Sequence, residues 1–192
     1  MSLNVPSASR LEPVEPGHAP LFCFALLTVS GALASFALAC ATPFAAFAVI
    51  AVAMLPLRPA LLVVAGAWLV NQGIGFGALH YPISMNTMLW GLAIGLATLA
   101  ATAISAAVFR WLPRSRTPLS FALVLALALA CGYGAYELVL FAATPFLGGT
   151  GSFTAAIVSR VGFSNLRWLI GLVLACEIVG LLNPIRRRRL LS

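Results

Sequence analysis

Few side chains in this sequence are equipped for chemistry. Beyond the first 19 residues there are two carboxylates, Glu137 and Glu177, and one histidine, His80. Around them, between long apolar runs, stand Asn71, Gln72, Tyr81, Asn86, Trp90, Tyr133, Tyr136, Asn165, Arg167 and Trp168. A lone histidine does not make a zinc site, because zinc takes three or four ligands. The imidazole can instead give one axial ligand to a metal already held in a macrocycle, donate a hydrogen bond, or rest at an interface. Glu137 can pair with Arg160 or Arg167 or face a ligand. Glu177 sits deeper in its apolar run, where a carboxyl is protonated and hydrogen-bonded to a neighbouring helix or serves a proton relay. No P-loop, GxSxG elbow, HExxH pair or cluster of acids for magnesium occurs, and the two halves do not read as inverted repeats. Catalysis therefore has little support, and we expect a non-enzyme with no cofactor of its own.

The elements that must position these groups follow from composition. Of 192 residues, 62% are hydrophobic and 8% charged, against roughly 25% charged in a soluble domain. One soluble core of this size cannot hide so much apolar surface, whereas a bilayer accepts it on the outside. The fold class is therefore an all-α polytopic integral membrane protein. The formal charge of +7 comes entirely from arginine. Most arginines lie between apolar runs, which reads as topogenic charge on the cytoplasmic side of the inner membrane and not as a nucleic-acid surface. Cys23, Cys40, Cys131 and Cys176 all lie inside apolar runs without CxxC spacing and read as small buried hydrophobes. Residues 1–19 form a polar tail with Glu12 and Glu15, unlike a cleavable signal. A membrane domain is expected over 20–185, and an Arg-rich tail over 186–192.

A crossing needs about 20 apolar residues. The runs 21–41, 44–57, 60–76, 84–109, 119–142 and 166–182 predict about six helices. The second is short, matched either by a locally thinned bilayer or by a re-entrant pair with the first. With both termini cytoplasmic, Arg10, Arg58, Arg114, Arg116 and Arg186 to Arg189 all fall inside. The segments near Pro43, around His80 and over 143–164 fall outside, with Arg160 and Arg167. The outer side then gathers Asn71, Gln72, His80, Tyr81, Asn86, Trp90, Tyr136, Glu137 and Trp168. Gly73, Gly75 and Gly77 permit irregular backbone there, which membranes tolerate where it lines a cavity or is covered by protein. This set reads as an outward-facing pocket for one small organic ligand, or as an aromatic interfacial belt with ordinary loop residues.

Small residues mark close helix contacts. Gly31, Ser35 and Ala39 recur every four residues on the first helix, with Ala34 beside them, and Gly91-xxx-Gly95 lies on the fourth. The first face is read either as internal packing or as a docking face for another membrane subunit.

In length, helix count, small-residue-rich first helix and outer pocket, the chain resembles the S components of energy-coupling factor (ECF) vitamin transporters, particularly their solitary cobalamin-specific type. The resemblance covers nearly the whole chain and is one of architecture. It implies a substrate-binding membrane subunit that takes a vitamin, first cobalamin or another corrinoid, from outside. Its partners would be a transmembrane coupling subunit, docked on Gly31, Ala34, Ser35 and Ala39, and ATPases. In that type the loop after the third helix carries a cobalt-ligating residue, typically cysteine. Here the loop holds His80, so the resemblance implies an axial imidazole. A different class stays open from the residues alone: a small membrane-embedded enzyme or assembly factor acting on a lipid-like substrate, with Glu137 or Glu177 as acid/base.

Overall fold

The computed structural model describes residues 11–38, 42–112 and 117–183, and every regular element among them is helical. The six helices are α1 (Ala19–Leu38), α2 (Phe44–Met54), α3 (Leu57–Gly73), α4 (Met85–Trp111), α5 (Pro118–Leu147) and α6 (Ala155–Leu182). A π-helical turn, Ile74–Ala78, extends α3, and a 3-10 turn, Thr150–Ser152, sits between α5 and α6. Ala39, Cys40, Arg10, Arg114, Arg116 and the 186–192 tail lie outside the described residues.

Five helices are long and apolar enough to cross a membrane: α1, α3 with its π-turn, α4, α5 and α6. Their outward faces carry large apolar side chains such as Leu62, Leu123, Leu138 and Leu174, all exposed, as lipid contact requires. The short second run becomes the centre of the molecule. Every residue of α2 is buried, and all five other helices pack on it. An 11-residue helix rises about 17 Å, roughly half the apolar thickness of a bilayer. A helix apolar all round has no polar face to turn outward and belongs in a core. Its five alanines, Ala45, Ala46, Ala48, Ala51 and Ala53, let the surrounding helices approach closely.

Contacts between helices use the small residues the sequence offers. Trp68 of α3 donates its indole N–H to the Gly91 carbonyl at 3.1 Å. A Cβ on Gly95 would come within 2.6 Å of the same indole, and one on Gly91 within 2.7 Å of Gln72 Oε1. The Gly91-xxx-Gly95 face of α4 is thus the seat of two α3 side chains one turn apart. Along α4, Thr98 and Thr102 return their hydroxyls to the carbonyls four residues earlier, at 2.7 and 2.8 Å. Ser105 instead reaches across to Ala128 O of α5 at 3.2 Å.

Two sequence expectations are corrected. Cys131 is exposed on α5 and is not a buried hydrophobe. Most of the 143–164 connection is helix: α5 continues to Leu147 and α6 starts at Ala155. Pro145 lies inside α5 and lacks the N–H that would have met the Phe141 carbonyl. The Thr144 hydroxyl donates to that carbonyl at 2.8 Å instead, so the last turn survives. Thr154 caps α6 by accepting from the Ile157 N–H at 3.3 Å, and the Tyr133 hydroxyl donates to Val158 O at 2.7 Å. Local capping and one tertiary bond hold this first part of α6, where apolar continuity is broken.

Candidate functional site

The expected pocket residues divide into those used up inside the fold and those left accessible. Asn71 donates from Nδ2 to Ser35 Oγ at 2.6 Å and to Thr42 Oγ1 at 3.2 Å. It ties the far ends of α1 and α3 to the segment that opens α2. Gln72 lies against Gly91 of α4. Tyr136 is buried in the core. These three are placed as parts of the scaffold.

The accessible ones lie near the ends of α3, α4 and α5. His80 is exposed and has φ 53°, the one positive φ outside glycine among the described residues. A left-handed backbone is uncommon for a residue with a Cβ. Both neighbours are fixed here. The Leu79 N–H donates to Ile74 O at 2.9 Å and the Tyr81 N–H to Gly75 O at 3.0 Å. The Tyr81 ring also covers Gly75, where a Cβ would come within 2.9 Å of it. The π-turn and this clasp present the imidazole outward. Asn86 is exposed in the first turn of α4, which Ser84 caps by accepting from Thr87 N–H at 3.2 Å. Trp90, one turn further, is half-buried and comes up to the α5–α6 connection, where a Cβ on Gly149 would stand 3.5 Å from its ring. Gly148 and Gly149 both have positive φ, which lets the connection turn tightly there. Phe141 and Phe153 meet edge to face, with centroids 5.4 Å apart, and pin its other side. Glu137 is half-buried on α5.

Trp168 lies elsewhere. It lines a groove between α1 and α6 together with Arg167 and Ser30, away from the His80 loop. The small face of α1 is covered within the chain. Ala34 and Ser35 are buried, Ser35 donates to Gly31 O at 2.8 Å, and a Cβ on Gly31 would stand 3.4 Å from the Phe47 ring of α2. In this arrangement Gly31, Ala34 and Ser35 are internal packing.

Asn165 was visible only as one more polar residue near the start of the sixth run. It is 2% exposed and accepts from the Ala46 N–H at 3.0 Å while donating to Val161 O at 3.0 Å. It caps α2 from a helix 119 residues away. Only the cost of an amide among apolar neighbours hinted at such a role. Among the described residues no group of three metal-ligating side chains comes together.

Comparison with protein-family models, curated proteins and solved structures finds no match. Fold and composition therefore define the class: a multi-pass α-helical membrane protein with a short, fully enclosed central helix.

Proposed function

We propose that this chain is the substrate-binding membrane subunit of an ECF-type vitamin uptake transporter in the cytoplasmic membrane. A corrinoid is its first candidate ligand, bound where His80 stands exposed on the loop between α3 and α4. The observation that carries this reading is His80: exposed, and held left-handed by backbone bonds on both sides. Strained, over-determined backbone concentrates at functional sites. An exposed imidazole carried on so fixed a backbone suits an axial ligand to a cobalt that arrives caged in its ring. Since α2 and α3 cover Gly31, Ala34 and Ser35, the coupling subunit and its ATPases would engage a lipid-facing surface of the bundle.

The test is the visible spectrum of the detergent-purified protein, as isolated and after adding cobalamin. A corrin band that follows the protein through gel filtration, and shifts in His80→Gly, is the expected result. Glycine accepts the same φ, so this variant removes the imidazole without straining the loop. A protein that retains no corrinoid overturns the reading.

A further inference from the structure

Helices α1 and α6 both pack on α2 but hardly on each other. The gap is a groove of about 340 Å³, whose floor and sides include Leu26, Leu172 and Ala175. It lies along the middle of both helices, so it opens to lipid and not to an end of the bundle. Its volume lies in the range of small-ligand sites.

Two polar groups line it. Ser30 is 7% exposed, faces the groove, and makes no hydrogen bond to any described residue. Ser35, Thr98 and Thr102, on similar apolar helices, all return their hydroxyls to the preceding turn. Ser30 does not. Arg167 is exposed and forms no ion pair with any described residue. It stands seven residues after Arg160, about 10 Å further along the helix. Helical side chains lean toward the helix N-terminus, which brings the guanidinium back toward headgroup depth. An unpaired arginine on a lipid-facing helix is costly and calls for an anion.

We infer that the groove holds an anionic phospholipid. Its phosphate sits on the Arg167 guanidinium, an ester carbonyl below it accepts from the Ser30 hydroxyl, and an acyl chain lies over Leu26, Leu172 and Ala175. Guanidinium is matched to phosphate by its bidentate fork, and the rest of the groove is apolar. A second copy in the same orientation does not fit. Its Glu177 lies ten residues along α6 from Arg167, a depth difference of about 15 Å. A partner helix, about 10 Å wide, is too thick for this volume. The inference is independent of the corrinoid reading and is tested without a vitamin.

The experiment is native mass spectrometry of the protein from mixed micelles of phosphatidylglycerol and phosphatidylcholine. Wild type is expected to retain one phosphatidylglycerol with about tenfold preference, the scale of one charge-assisted contact. Arg167→Gln removes the preference and Arg167→Lys keeps part of it. Gly171→Leu lowers retention of both lipids by filling the groove, since a Cβ at Gly171 meets no atom within 4 Å. Equal retention of the two lipids by wild type overturns the inference, as does a preference unchanged in Arg167→Gln. A co-purifying membrane protein whose retention needs Arg167, in place of lipid, also overturns it.

Discussion

At the start of α2 the first backbone N–H groups have no partner within the helix, and no side chain of its own N-cap, Pro43, serves them. Asn165 supplies one acceptor, to Ala46. In an apolar interior an unmet N–H costs about 1–3 kcal/mol. Asn165→Ala should lower stability by about that much in detergent unfolding, while Asn86→Ala, exposed on α4, should stay within about 0.5 kcal/mol of wild type. His80 runs the other way. Its left-handed φ of 53° is a strain that glycine releases, so His80→Gly should raise stability by about 1 kcal/mol while losing any ligand the imidazole holds. A thermal-shift comparison of the two variants checks both signs together.

At the scale of elements, the α3–α4 contact depends on how near Trp68 comes to the α4 backbone. A methyl at Gly95 would meet that ring at 2.6 Å, whereas one at Gly134 on α5 meets nothing within 4 Å. Gly95→Ala should therefore cost about 1–3 kcal/mol as an overpacking change, and Gly134→Ala should add about 0.5–1 kcal/mol through helix propensity. If the two shift the unfolding midpoint alike, the Trp68 contact does not govern this interface. Helix existence was legible in the sequence because apolar runs ended at Pro43, Pro56, Arg110 and Asn183. The interior of α5 past Ala142 and the start of α6 were not. Pro145 reads locally as a stop, and the compensating Thr144 hydroxyl shows only in three dimensions. The site was legible in part. His80 is presented outward, but Asn71, Gln72 and Tyr136 are consumed by packing, a choice that no hydropathy pattern encodes. Arg167 and Ser30 share a groove because α1 and α6 flank α2, a long-range fact that spacing along the chain does not contain.

For the whole molecule the question is how many times the chain crosses. The Leu11 N–H donates to Ala53 O at the end of α2, and Asn183 Nδ2 lies 3.4 Å from Pro13 O. The beginning and end of the described chain therefore lie on one side, together with the α2–α3 junction. Although α2 is too short to match a bilayer alone, it returns the chain to the side from which α1 set out: α3 starts just after it, and Asn71 near the far end of α3 is bonded back to Thr42 just before it. Arg58 belongs to this side, and Arg110 ends α4 there, while Arg160 lies near the opposite end. The positive-inside rule then predicts that this side is cytoplasmic. Single cysteines placed at Gly17, Leu57 and Thr150, all exposed, in a background without the native cysteines, test both statements with a membrane-impermeant maleimide. Thr150→Cys should label in intact cells, and Gly17→Cys and Leu57→Cys only after permeabilisation. Labelling of Gly17→Cys and Leu57→Cys from opposite sides would mean that α2 does not bring the chain back. Full reversal of the pattern would keep the bundle and invert its orientation, placing His80 on the cytoplasmic side and overturning the proposed capture of a vitamin from outside.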